Sequence, residues 1–283
     1  MSEIITTKAN MPAIYSGADD DFKDMRQRDM IMPNLRLMQA LSPLVTEDAA
    51  KSGDFADVST KTVIIPKESK KFVVPLIFWL EWIEWNPNRK AAKDQRILNR
   101  SNDPSSELAK VAERWETIKV DGKDRARVTE YYNFIVAMAN EMDGFTDFSQ
   151  LYVLNFSKTG HRTGKMWLNK LKNSKIRFED GVVKAPIWYN QWELYSILET
   201  KDTDKFYTPQ IGSSKATPVI AHDELKATCD MLKERRAEIM SKNTNESDDT
   251  HTATPPETPL NNNGPAKSAA DRVAPKADNE PPF

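Results

Sequence analysis

Apolar positions along this chain fall into short runs, some repeating every second residue and others every three to four, which predicts a mixture of strands and helices. Thr62-Val63-Ile64-Ile65-Pro66 and Phe72 to Trp85 are β-branched and aromatic, and the charged stretch Lys67 to Lys71 between them reads as a turn. Pro75 has no amide hydrogen to give a ladder, so the second strand needs an edge or a bulge there. Tyr131 to Met138 and Leu151 to Phe156 have strand composition, with the turn signal Asp143-Gly144 between them. Pro186 to Leu198 and Lys205 to Ile211 read as a hairpin around Thr200 to Asp204. Three stretches keep helical spacing. Asp103-Pro104 is a capping pair before Leu108, Val111, Ala112, Trp115 and Ile118, a run that stops at Asp121-Gly122. The others are Gly164 to Lys175 and Asp223 to Met240, the latter with Leu225, Cys229, Leu232 and Ile239 on one side. Short strands with interposed helices predict a mainly β fold, a small barrel with helical elaborations rather than a doubly wound sheet.

The ends of the chain lack these patterns. Residues 1–30 carry Asp19-Asp20-Asp21 and little apolar periodicity, which predicts a flexible arm that tightens at Met32 to Leu41. From Asn243 onward the composition turns to Asn, Thr, Ala and Pro, including Pro255, Pro256, Pro259, Pro265 and Pro275. A segment of that kind cannot bury a core and is expected to be disordered. The organisation is therefore an arm over 1–30, a domain over 31–242 and a tail over 243–283. With 39% hydrophobic residues among 283, the middle part suffices for one sizeable core. The formal charge of −2 hides an asymmetry, because the tail has seven acids against three bases. The body is left weakly basic, as expected when an acidic tail competes with nucleic acid for one surface.

A single cysteine, Cys229, cannot form an internal disulfide, and Met1 to Asp20 has no apolar stretch of the signal-peptide kind. Both features point to a reducing cytoplasm. The longest apolar run, Phe72 to Leu80, is too short to span a bilayer, so no membrane partner is expected.

The strongest chemical signal lies between Ser157 and Phe178. Lys158, Arg162, Lys165, Lys170, Lys172, Lys175 and Arg177 stand there with His161 and without one acid, and Phe156, Trp167 and Phe178 are interleaved among them. Cations beside aromatic faces suit single-stranded nucleic acid, whose bases stack while its phosphates are neutralised. The competing reading is a solvated helix face with Trp167 and Leu168 in the core. The tryptophans of the long strand pose the same choice: Trp79 and Trp85 share one face and Trp82 shares the other with Phe78, so burial is favoured over a stacking platform for Trp82 and Trp85.

Leu154-Asn155-Phe156-Ser157-Lys158-Thr159, the basic helix, and the pair Ile187 to Leu194 and Lys205 to Pro209 resemble the strand, helix and hairpin order of single-stranded-DNA-binding proteins from tailed bacteriophages. The resemblance runs roughly from Pro33 to Ile211. It implies an oligonucleotide-binding, five-stranded barrel with an acidic C-terminal tail, protecting single strands in replication, recombination or repair in a bacterial host's cytoplasm. Asn86 to Lys119 reads as an elaboration of that pattern. The chain's end, Asp278-Asn279-Glu280-Pro281-Pro282-Phe283, resembles the tip of bacterial single-stranded-DNA-binding proteins, with Pro281 where an aliphatic residue is usual. That likeness implies capture of replication, recombination or transcription proteins by Asp278, Glu280, Pro281, Pro282 and Phe283, a terminal aromatic flanked by carboxylates.

Signals for an enzyme are sparse. Gly160-His161-Arg162-Thr163-Gly164-Lys165-Met166 has one residue too few between its glycines for a nucleotide-hydrolase loop and Met166 where a hydroxyl must hold magnesium. Contact of that loop with backbone phosphate remains open. His161, His222 and His251 are scattered, so neither a metal site nor a cysteine–histidine pair has its parts, and no metal or cofactor is expected. Glu81 with Glu84, or Glu141 with Asp143, keeps open a magnesium-dependent nuclease as the opposing class. A strand-annealing mediator, forming homo-oligomers, is the alternative among binding proteins.

Overall fold

The computed structural model describes residues 32–88, 91–92, 95–120, 122–142, 145–201 and 204–242. Residues 1–31 and 243–283 lie outside that set, and with them the predicted arm, the tail, and Asp278, Glu280, Pro281, Pro282 and Phe283.

The chain opens with β1 (Asn34–Leu37), a single helical turn α1 (Pro43–Thr46), β2 (Phe55–Asp57) and β3 (Thr62–Ile65). Next come the long strand β4 (Lys71–Trp85), β5 (Ile97–Ser101), α2 (Glu107–Glu113) and the hairpin β6 (Thr117–Val120) with β7 (Lys123–Ala126). The middle holds β8 (Val128–Met138), β9 (Asn140–Met142), β10 (Phe145–Asp147), β11 (Leu151–Phe156) and α3 (His161–Asn173). The last part holds β12 (Lys175–Phe178), β13 (Gly181–Lys184), β14 (Asn190–Lys201), β15 (Asp204–Ala216), α4 (His222–Glu234) and α5 (Arg236–Lys242). Among the described residues a nine-stranded sheet runs β15-β14-β4-β8-β11-β1-β2-β3, with β5 also paired to β4. The protein is mainly β, its sheet curled into a half-barrel with a few helices. The sheet exceeds the five strands implied by the family resemblance because β1, β2 and β3 extend it beyond β11 and β5 adds to β4.

Pairing is antiparallel except where β1 lies parallel to β11. Pro75 sits at a bulge in the β4–β8 ladder, where Pro75 faces Val136 and Ile77 faces Ile135. The extra residue sends Leu76 and Ile77 to the same face, and alternation resumes beyond it. One face of β4 and β8 then carries Val73, Phe78, Tyr132, Phe134 and Val136, which pack with β11 and α3. The other carries Val74, Leu76, Trp79 and Ile135, which pack with Leu225 and Leu232 of α4. Curling brings β15 near the exit of β1. The Gln39 amide donates to the Tyr207 carbonyl at 2.8 Å and accepts from its N–H at 3.1 Å, a side chain occupying the place of another strand.

Trp167, expected among the base-stacking residues, is instead fully buried. Its ring lies 4.3 Å from that of Phe134 and 5.9 Å from that of Phe156, centroid to centroid. Gly164 allows this approach: a Cβ there would fall 2.8 Å from Phe156 Cβ and 2.9 Å from Tyr132 Cβ. The helix begins at His161, earlier than the sequence pattern implied, and Lys175 to Phe178 leave it to form a strand.

The helix predicted from Asp103 to Ile118 is corrected as well. Ser106 caps α2, accepting from Ala109 N–H, while Asp103 holds the preceding turn through Ser105. Beyond Glu113 the β-branched Thr117, Ile118 and Val120 form β6, paired with β7 around Gly122, whose φ of +75° suits a hairpin. The predicted last helix is split at Arg235 into α4 and α5. Among the described residues no helix is long and apolar enough to cross a membrane.

Two buried carboxylates tie the strands together. Glu81 pairs with Arg100 of β5 and accepts from Asn133 of β8. Glu84 accepts from Asn99 at 2.6 Å and from Arg127 at 2.7 Å. Those hydrogen bonds and the Arg127 charge outweigh burial and hold the Glu84 carboxyl below its ordinary value.

Trp167→Ala is expected to cost about 3–5 kcal/mol of stability, read from urea midpoints, as for other large aromatic truncations in a packed core. Glu84 supplies a pH test. Because the unfolded chain takes up its proton first, its contribution is complete above the ordinary glutamate value of about 4.3 and is lost as pH falls through the lower folded value. Urea midpoints of Glu84→Gln should therefore vary less with pH than those of the wild type between roughly pH 5 and pH 3.

Candidate nucleic-acid interface

α2 and α3 cover the same face of β4 and β8 at different heights. Trp82 packs with Ala109, Val111 and Val128 beneath α2, and Phe134 packs beneath α3. The strip between the helices stays open as a groove of about 870 Å³, with Trp82, Val128, Glu130 and Tyr132 in its floor. The pleat explains the floor: Glu130 stands opposite Trp82 and Tyr132 opposite Leu80 in the β4–β8 ladder, so one face supplies all of it.

One wall comes from α2, Trp115 and the β6–β7 hairpin. Trp115 is 73% exposed and has φ of 54°. A left-handed backbone is strained for a bulky side chain, and such outliers gather at ligand clamps. Trp85, half-buried beside an irregularity in the β4–β5 ladder, adds a second indole. The opposite wall is the start of α3, with Lys158, His161, Arg162 and Lys165. Lys158 also has a left-handed φ, 48°. Arg96 and Arg125 bring the bases lining the groove, besides His161, to five.

Acids also line it, but two of the three are engaged. Glu130 Oε2 lies 2.6 Å from His161 Nε2. Burial opposes ionisation of Glu130, yet hydrogen bonding and charge from His161, with hydrogen bonds from Trp82 and Tyr132, prevail and keep its carboxyl below the usual range. Burial and the adjacent Glu130 push the Tyr132 phenol up to about 12, so it stays a neutral donor. Glu116 pairs with Arg114 at 2.8 Å and with Arg127 at 3.3 Å. The third acid, Glu113, is exposed. Arg125, Arg162 and Lys165 are exposed and form no ion pair among the described residues.

The basic segment is thus divided. Lys158, Arg162 and Lys165 line the groove, whereas Lys170, Lys172, Lys175, Arg177 and Phe178 do not. Lys170 Nζ lies 5.7 Å from the centre of the Trp192 ring. Lys172, Lys175 and Arg177 are exposed, and Phe178, on the β12–β13 hairpin, is 57% exposed. Trp79 and Trp82 are buried, Trp82 with its edge in the groove floor. Trp115, Arg96 and Arg125 were not among the expected site residues. The signal that could have found Trp115 and Arg125 is the alternation of Thr117 to Val120 ahead of Asp121-Gly122, which releases Trp115 from a helix and sets Arg125 on a hairpin; no pattern in the sequence marks Arg96.

Glu81 and Glu84, weighed as a magnesium pair, point to opposite faces of β4 and have the partners given above. Asp143 lies outside the described residues, as does His251. His222 packs against Trp188 and Tyr189 and meets the Thr217 carbonyl at 3.1 Å. Cys229 is buried, its thiol donating to the Leu76 carbonyl, and burial raises its pKa. Among the described residues no three His, Cys, Asp or Glu side chains gather as a metal site.

Neither curated proteins nor solved structures yield a match to this chain. The family model of the Pam3 phage gp34-like protein matches residues 6–243, an interval that takes in all the strands and the groove, and the chain therefore belongs to that bacteriophage family.

Proposed function

We propose that this phage protein binds single-stranded DNA without cleaving it, laying the strand between α2, the β6–β7 hairpin and the start of α3. The observation that carries the proposal is the meeting of the Trp85 and Trp115 indoles with five bases in one groove. Separate stretches of chain supply these groups, which a solvated helix face does not require. Stacking needs an unpaired base, so a duplex would forgo that contribution, while phosphate neutralisation serves either form. The first turn of α3 carries no acid, which favours negative charge nearby. Readout of sequence is expected to be slight, and no metal or cofactor is needed.

In the host cytoplasm such binding would protect single strands during replication, recombination or repair. The chain's end completes the proposal: Asp278, Glu280, Pro281, Pro282 and Phe283 would recruit replication, recombination or transcription proteins that offer an apolar pocket with a basic rim.

If the five bases of the groove contact phosphates, log K should fall against log salt with a slope of roughly −3.5. Arg162→Glu with Lys165→Glu should weaken binding whatever the sequence. Trp115→Ala should cost about 1–3 kcal/mol of affinity with the melting temperature unchanged, since its ring is exposed. Equal affinity for duplex and single strand, or a slope near zero, would refute the proposal, and loss of a labelled oligonucleotide with magnesium would favour a nuclease.

Deleting only Pro282 and Phe283 should leave DNA affinity nearly unchanged and abolish capture of host or phage proteins in pull-downs. Retrieval of the same proteins by the full-length and shortened chains would end the recruitment idea.

A further inference from the structure

A second groove, of about 430 Å³, opens between β1 and β11 on one side and β15 on the other. Lys158 lines this groove as well as the first, so the two adjoin at that residue. The segment bearing Lys158 is held firmly: a Cβ on Gly160 would lie 2.9 Å from Pro209 Cγ and 3.5 Å from the Phe156 ring.

The second groove repeats the chemistry of the first on a smaller scale. Arg36, Lys158 and Lys205 contribute three bases against one acid, Asp204. Phe206 is half-buried and presents an aromatic ring, and the hydroxyls of Ser157 and Thr159 stand beside Lys158. Bases with an aromatic face suit phosphates and stacked bases, and hydroxyls are common partners of phosphate oxygens. A separate small ligand would not account for a base shared between the grooves.

We infer that the second groove continues the nucleic-acid track, so that one strand passes from the first groove over Lys158 to Lys205 and Phe206. This rests on the single-strand reading of the first groove. The occupied length then exceeds what the first groove alone can hold, and the gain in affinity with oligonucleotide length belongs to β15.

The test is binding of full-length protein to oligothymidylates of about 4 and about 14 nucleotides, lengths near the two ends of the usual range for one such domain. Lys205→Glu and Phe206→Ala are each expected to weaken the longer oligonucleotide about tenfold and to change the shorter less than about twofold, because the shorter is held by the first groove. Lys205→Arg should restore the longer. Lys205 is exposed, so its variants guard against a loss of folding at Phe206. Wild-type affinity for the longer oligonucleotide in both variants would overturn the inference, as would an equal loss at both lengths, which marks a diffuse charge effect. Arg162→Glu separates the two levels. If it weakens both lengths while Lys205→Glu and Phe206→Ala do nothing, only the second groove falls; if it weakens neither, the single-strand reading falls and this inference with it.

Discussion

A strand that is apolar on both faces has to be covered twice, and β4 and β8 together impose that requirement on the rest of the chain. Val73, Phe78, Phe134 and Val136 on one face and Val74, Trp79 and Ile135 on the other leave neither side for water. Curling of the sheet with α3 inside it answers the first demand, and α4 answers the second. The bulge after Pro75 sets the phase between the two faces, since it places Leu76 and Ile77 together. A slip of one residue beyond that point would exchange the contents of the two layers.

The groove follows from how the inner face is covered. α3 lies so close over Phe134 and Phe156 that only glycine fits at position 164, and α2 covers Trp82 farther along β4. The two helices come from different parts of the chain and need not abut. What they leave open is a floor already fixed by core packing, with walls built of surface residues. A rigid floor under exposed Trp115, Arg125, Arg162 and Lys165 is the arrangement in which stacking and phosphate contacts cost least reorganisation. The pairs of the buried Glu81 with Arg100 and of the buried Glu84 with the partly exposed Arg127 secure β5 and the entry to β8 beside it. Removing Arg100 would take the cation from a carboxylate that is fully buried.

Charge in the groove is less simple than a basic patch. Glu130 faces it, but hydrogen bonds with His161, Trp82 and Tyr132 engage the carboxylate. Arg114 and Arg127 do the same for Glu116. The cations without ion-pair partners among the described residues, Arg125, Arg162 and Lys165, stand on facing walls, so the proposed strand would meet positive charge from both sides.

The sequence by itself determined the strands with strong β-branched and aromatic runs, the need for an edge or a bulge at Pro75, the β14–β15 hairpin, and the membership of Lys158, Arg162 and Lys165 in one acid-free stretch; burial, favoured for the tryptophans of β4, holds for Trp79 and Trp82 but not for the half-buried Trp85. Those features depend on local pattern, on a missing amide hydrogen or on a two-residue period, all of which can be read in one dimension. Tertiary structure decided the fate of Trp167, because its helical spacing fits a stacking residue and a core residue equally well until Gly164 brings α3 onto the sheet. It also decided that Trp115 leaves the helix, since apolar spacing from Leu108 to Ile118 agrees with a helix whereas pairing of Thr117 to Val120 with Lys123 to Ala126 supplies backbone bonds that a helix would otherwise provide. Trp85, Arg96 and Arg125 are far from the basic segment along the chain and meet it only in the groove. No periodicity records that meeting, because it is produced by how strands pair across the sheet and how two helices divide one face between them.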